Sequence, residues 1–190
     1  MYKKFFITGA SCKIGQSFIE MLPKDSTVFK PSKKEVNFEN LSDIKKLKKK
    51  IISSDVLILL HSIIIPKPHL KKNFAEKIKQ LKVNLLSTLE IVEMALKYNK
   101  RAKIFILGSE SGKKGSYDIM YALTKTALHK YIEERKILFP DQQLVGIAPS
   151  TIIDGQITLK RKDKKNLERS INLNPKKRGI FSNEISRLIY

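Results

Sequence analysis

The sequence predicts a doubly wound α/β fold with a parallel sheet, and three observations carry that expectation. Short, continuous apolar runs recur along the chain, each of the kind found in strands buried on both faces. Segments with helical apolar spacing alternate with these runs. The first run enters a glycine turn, Thr8-Gly9-Ala-Ser-Cys-Lys-Ile14-Gly15, that opens directly into a helical pattern.

Lys4-Phe-Phe-Ile7 is the first strand, and Gln16 to Leu22 is the helix after the turn, with Phe18, Ile19 and Leu22 on its apolar side. A strand, a glycine turn and a helix form the phosphate-cradling unit of dinucleotide-binding folds. Gly9 permits the tight turn, Gly15 lets the helix pack close to the strand, and the helix amino terminus offers free N–H groups to a pyrophosphate. Ser26-Thr-Val-Phe-Lys30 reads as the second strand and Val36-Asn-Phe38 as the third. Asn40 or Ser42 caps a helix running to about Ile51, whose lysines form a solvated face.

Asp55-Val-Leu-Ile-Leu-Leu60 is a fourth strand, followed by the breaker Pro66-Lys-Pro68 and a long helix over roughly Lys72 to Tyr98. Ile104 to Leu107 is the fifth strand, the next helix lies within Asp118 to Leu138, and Leu144-Val-Gly-Ile-Ala148 is the sixth strand, stopped by Pro149. Beyond Thr151 the chain is polar and basic, with no regular element expected until Ser182 caps a helix over Asn183 to Tyr190.

The 190 residues make a single domain, 1–190, with enough chain for a real core. No apolar run approaches the roughly 18 residues of a membrane span. A single cysteine, Cys12, excludes a disulfide framework and fits a reducing cytoplasm. The net charge of +20 comes from 32 lysines against 6 arginines, spread over most helix surfaces. A nucleic-acid reader would show more arginine with aromatics interleaved, so nucleic acid is not the expected partner. What remains is surface charge with a general attraction for anionic ligands such as phosphates.

The chemistry concentrates between Ser109 and Lys125. Ser109 follows the fifth strand, where a buried strand would end. Tyr121 and Lys125 are four residues apart and share one helix face. A phenol of pKa about 10 beside an ammonium is lowered by roughly 1–3 units, close enough to neutrality for general acid/base work. Tyr-x-x-x-Lys alone is a common pattern.

In combination the motifs resemble the short-chain dehydrogenase/reductase family over essentially the whole chain. Thr8-Gly9…Gly15 is similar to the ends of that family's cofactor turn, and Asp55 to Ser62 stands where the family has its Asn-Asn-Ala-Gly sequence. Val83-Asn84-Leu-Leu-Ser-Thr88 resembles the segment carrying its active-site asparagine. Ser109-x-x-Gly112 precedes Tyr121-x-x-x-Lys125 by the usual interval, and Ala148-Pro149 follows the sixth strand.

The resemblance implies a Rossmann-like three-layer αβα fold with strand order 3-2-1-4-5-6, lacking the family's seventh strand. It also implies a catalytic tetrad. Tyr121 would be the acid/base, and Ser109 would hold the substrate oxygen. Lys125 would bind the nicotinamide ribose and depress the Tyr121 pKa, while Asn84 would hold a water of a proton relay. The cofactor contacts it implies are Gly9, Ser11, Cys12, Lys13, Ile14 and Gly15 at the turn, then Lys30 and Ser32, Asn37 and Phe38, and His61 and Ser62. Tyr121, Lys125, Pro149 and Ile152 complete that set.

Three departures stand out. Lys13 replaces a glycine of the turn, Leu59-Leu60-His61-Ser62 replaces Asn-Asn-Ala-Gly, and Ser150 replaces a glycine. His61 is either a cofactor contact or a packed loop histidine. An NAD site usually has an acid about 20 residues past the glycine turn. Here Phe29-Lys30-Pro-Ser32-Lys33-Lys34 carries none before Glu35, which favours NADP over NAD.

The leading functional expectation is an NAD(P)-dependent oxidoreductase acting on a carbonyl or alcohol, with sugar or polysaccharide metabolism as a setting. A nucleotide-sugar epimerase or dehydratase, and a non-catalytic nucleotide-binding member, stay open. The expected partner is a small-molecule substrate of anionic character, closed over by a mobile segment at 151–175, and a homo-oligomer is compatible with the family.

Overall fold

Successive residues of the first strand serve different layers. In a computed structural model that describes residues 2–65, 67, 69–161 and 164–190, β1 (Lys4–Thr8) sends Phe6 into one core and Phe5 and Ile7 into another. This is the period-two alternation of a strand covered on both sides. β2 (Thr27–Phe29) pairs with it in parallel, Phe6 opposite Phe29. β3 (Val56–Leu59) pairs on its other side, β4 (Lys103–Leu107) follows, and β5 (Gln143–Ile147) completes an all-parallel sheet of order β2-β1-β3-β4-β5. The chain crosses over between β1 and β3, so their carboxyl ends diverge around a crevice, the place where open α/β sheets bind ligands.

α1 (Lys13–Met21) lies on one face of the sheet, with Ile14 and Phe18 buried against Phe5, Ile7 and Ile58. α2 (Leu41–Lys46) and α3 (Lys48–Ile52) cover the other face with Ile44 and Ile51. The helix expected to run unbroken to Ile51 is interrupted at Leu47. The long helix expected from Lys72 begins instead as α4 (Phe74–Leu81), where Asn73 and Glu76 form a capping box. It passes through a π-helical turn at Lys82–Leu86 and ends as α5 (Ser87–Tyr98), which buries Ile91, Val92, Ala95 and Leu96.

A short α6 (Ser111–Lys114) and the longer α7 (Ile119–Glu134) follow β4. After β5 the chain forms α8 (Gln156–Leu159), α9 (Lys164–Asn172) and α10 (Ser182–Ile189). α8 and α9 correct the expectation of no regular element before Ser182. α9 places Leu167 and Ile171 one turn apart but has no buried residue, so its apolar signal is slight. α10 buries Ile185 beside α1, where Ser186 Oγ donates to the Ile14 carbonyl at 2.9 Å. Ser182 is not the cap of this helix but its first residue. Asp154 Oδ1 accepts both its amide and its hydroxyl at 2.9 Å.

The expected third strand, Val36-Asn-Phe38, is a turn. The amides of Glu35 and Val36 both go to the Ser32 carbonyl, and Asn37 Oδ1 accepts the Glu39 amide at 3.0 Å. Local hydrogen bonds of this kind compete with a sheet ladder, so the sheet ends at β2 and the expected order loses its outermost strand. Pro66 and Pro68 of the expected breaker, and Lys162 and Asp163 of the basic run, lie outside the described residues. No described helix is long and apolar enough to cross a membrane.

Candidate active site

The turn after β1 is shaped by missing side chains. Gly9 has φ +67°, and a β-carbon there would lie 2.9 Å from the His61 amide nitrogen. At Gly15 a β-carbon would lie 2.8 Å from Ala10 Cα, so it is the turn, rather than the strand, that α1 packs against so closely. Cys12 caps α1, its Sγ accepting from the Gly15 amide at 3.4 Å, and burial raises its thiol pKa. Lys13, at the disputed glycine position, is the first helical residue and is exposed.

Beyond β4 the backbone keeps pairing. Gly108 N–H donates to the Ile147 carbonyl at 2.7 Å and Glu110 N–H to the Pro149 carbonyl at 2.9 Å, which fixes Ser109 between them. Tyr121 and Ser109 line the same cavity. Lys125 is buried, donates from Nζ to the Leu107 carbonyl at 2.7 Å, and lies 5.6 Å from the centre of the Tyr121 ring. Burial pushes the Tyr121 phenol up to about 12, with the nearby Ser109 side chain pulling the other way. Burial also brings Lys125 down to about 8. The expected lowering of Tyr121 by Lys125 does not appear: loss of solvent dominates for both groups, and Tyr117 and Asp118 add to the rise at Tyr121.

Two buried devices position this helix face. Asp118 Oδ1 caps α7 by accepting the Tyr121 amide at 3.2 Å. Its Oδ2 meets Lys72 Nζ at 2.6 Å and Gln80 Nε2 at 2.7 Å, with both charged side chains wholly excluded from solvent. Asn84 sits in the π-helical turn, fully buried, and clamps Ile63 through both backbone groups at 2.8 and 2.9 Å. π turns of this kind concentrate at functional sites.

His61 resolves as a packed, neutral bridge. Its Nδ1 is 2.6 Å from Thr8 Oγ1 and its Nε2 2.8 Å from Ser87 Oγ, and burial holds its pKa down at about 3. It ties the end of β1 to α5. Phe38 stacks on the ring, centroids 4.3 Å apart and planes within 14°.

Two adjoining cavities run along the carboxyl edge of the sheet. The first, of 530 Å³, is lined by Ser109, Tyr121 and Lys125, and also by Cys12, Lys13, Ile14, Ser62, Pro149 and Ile152. The second, of 1120 Å³, is lined by Gly9, Ser11, Cys12, Lys30, Asn37, Phe38, His61 and Ser62. Three expected residues line neither cavity. Gly15 is spent on packing and Asn84 on Ile63, while the Ser32 amide donates to Glu35 Oε2 at 2.8 Å. Residues outside the expected set also line the cavities, notably Tyr117 in both, Lys33 and Lys160 in the second, and Lys114, Arg161 and Arg169 in the first. Lys33 was visible as part of a basic cluster. The last three carried no signal beyond the general charge of their segments.

No family model and no curated protein matches the sequence. Solved structures do match it. A short chain dehydrogenase family protein from Francisella tularensis aligns with a TM-score of 0.77 at 19% identity, over 100% of this chain and 90% of its own. The fold is that of the short-chain dehydrogenases and reductases. A short-chain dehydrogenase/reductase from Brucella melitensis aligns at TM-score 0.80 and 20% identity, over 98% and 87% of the two chains. A structure described as ElxO with NADP bound aligns at TM-score 0.82 and 20% identity, over 100% and 90%. The short-chain dehydrogenase fold thus extends over the whole chain, including the carboxy-terminal segment that the sequence pattern left unassigned.

Proposed function

We propose that this protein is an NADP-dependent oxidoreductase that reduces a carbonyl or oxidises the corresponding alcohol. The observation that carries the reading is the convergence of Ser109, Tyr121 and Lys125 on one cavity that adjoins the glycine turn. The residues present fit a dinucleotide. β-Carbons at Gly9 or Gly15 would collide with backbone, and the amino terminus of α1 offers amides and a positive dipole end to a pyrophosphate. Lys30, Lys33 and Lys160 line the cavity on the adenosine side, which suits a 2′-phosphate. NADP bound to a neighbour of the same fold supports the same choice.

When bound, the cofactor supplies or accepts the hydride. The chain's own residues hold and move the proton. Ser109 hydrogen-bonds the substrate oxygen, and Tyr121, protonated at neutral pH, donates its phenolic proton to that oxygen in reduction. Lys125 supports the cofactor ribose, and Asn84 fixes the backbone that lines the cleft. The substrate is anionic. Lys13, Lys114, Arg161 and Arg169 line the substrate cavity against one carboxylate, Glu110, which is paired with Lys114.

Stoichiometric NADPH consumption with a panel of anionic aldehydes and ketones tests the reading and separates it from an epimerase, which returns its cofactor each cycle. Tyr121→Phe is expected to lower turnover about 10²–10⁴-fold while NADPH binding persists. Unchanged turnover in Tyr121→Phe would sink the mechanism.

A further inference from the structure

Ser109 is bracketed by Gly108 and Gly112, and one side chain occupies the space both glycines leave. A β-carbon at Gly108 would lie 2.6 Å from His129 Nε2, and one at Gly112 would lie 2.7 Å from His129 Cε1. The imidazole projects from α7, one turn beyond Lys125 and two beyond Tyr121, into the corner where β4 gives way to α6. There Nε2 accepts the Ser109 amide at 3.3 Å. The neighbouring Ser109 hydroxyl accepts the Ser111 amide at 3.2 Å, and Ser109 lines the same cavity as Tyr121. Its direction therefore depends on the backbone that His129 holds.

We propose that His129 is a positioning residue for Ser109, whose unprotonated Nε2 holds the Ser109 amide and whose protonation releases it. A nitrogen that accepts an N–H bond carries no proton, so the neutral ring keeps its proton on Nδ1. Nδ1 is buried and has no hydrogen-bond partner among the described residues. Charging the ring would add a donor at Nε2, set against the Ser109 amide donor. The corner is thus built for the neutral ring alone.

The surrounding groups agree. Burial, then Lys125 on α7 and Lys113 on α6, hold the His129 pKa below its ordinary value, with Glu133 on α7 opposing them. As pH falls through that lowered pKa, the ring gains a proton, Ser109 loses its anchor and turnover falls. His129 lines neither cavity, so cofactor affinity is not expected to follow.

This inference rests on the proposed oxidoreductase reading, and its test includes a readout that does not depend on turnover. In isotopically labelled full-length protein, the Ser109 amide resonance should shift with the same midpoint as the His129 ring. A Ser109 amide that stays put while His129 titrates overturns the proposal, whatever the activity. In kinetics, His129→Leu should lower kcat about tenfold, the scale of one lost hydrogen bond to a buried group, with NADPH affinity unchanged. His129→Gln places a non-titrating acceptor at the Nε2 position. It should restore kcat to within about threefold of the native value and abolish the acid limb of the kcat–pH profile. An acid limb that persists in His129→Gln, or an unchanged kcat in His129→Leu, contradicts the proposal. If no carbonyl is turned over at all while the two resonances titrate together, the functional reading fails and the His129–Ser109 coupling stands.

Discussion

Around Tyr121 the cleft is held by side chains that reach for backbone, whereas around Gly9 it is held open by side chains that are absent. Asn84 clamps Ile63, Lys125 takes the Leu107 carbonyl, His129 takes the Ser109 amide and Asp118 caps the helix of Tyr121. At the turn, Gly9 and Gly15 leave room that a methyl group would fill, and the rest of that wall is exposed lysine and the Phe38–His61 stack. The first construction is sensitive to the loss of a group and the second to the addition of one. Two departures from the family pattern fall beside the turn, where Lys13 is exposed and His61 bridges Thr8 and Ser87.

The largest effect should come from the buried pair under α7. Asp118→Asn keeps an acceptor for the Tyr121 amide but strands Lys72 without its countercharge in a wholly buried site. A loss of about 3–5 kcal/mol in denaturant unfolding is expected, as for other buried pairs broken on one side. Adding Lys72→Met should recover most of it. If the single change costs less than about 1 kcal/mol, the helix is not held in the way described.

On the glycine side, Gly9→Ala must adopt φ +67° and press its β-carbon onto the backbone of Leu60 and His61. About 1–3 kcal/mol of strain is expected, read as lowered thermal stability together with weakened cofactor binding. Lys13→Gly, by contrast, should leave stability nearly unchanged. Equal damage from the two would erase the distinction between the sides.

A third test uses pH. Burial disfavours the ammonium of Lys125 and brings its pKa down to about 8, so the charge is present below that pH and lost above it. Activity should therefore decline above about pH 8, approaching tenfold per unit, well before an ordinary lysine would titrate. A flat profile from pH 7 to 10 would mean that the charge of Lys125 is not used.

Much of this arrangement is written in local patterns. The apolar run Lys4–Ile7, the glycine turn and the Tyr121–Lys125 spacing are each read within a few residues, and each has its structural counterpart. What escaped the sequence depends on partners far apart in the chain. His61 finds Thr8 and Ser87, 53 and 26 residues away, and nothing in its neighbourhood reveals either. His129 looks like any polar residue on a helix until Gly108 and Gly112 are seen to make room for it. The error at Val36 to Phe38 has the opposite origin, since Ser32 and Asn37 offered local hydrogen bonds that won over strand pairing. For Tyr121 the adjacency of Lys125 was legible but the depth of burial was not, and burial decides the direction of both shifts.

The most direct test of the central claim is calorimetric titration of the full-length protein with NADPH and with NADH at low ionic strength. Saturable binding of NADPH, tighter than NADH, weakened by added salt and by Lys30→Ala with Lys33→Ala, is the expected result. Absence of binding by either dinucleotide would contradict the assignment of the Gly9 turn and of the active site built beside it.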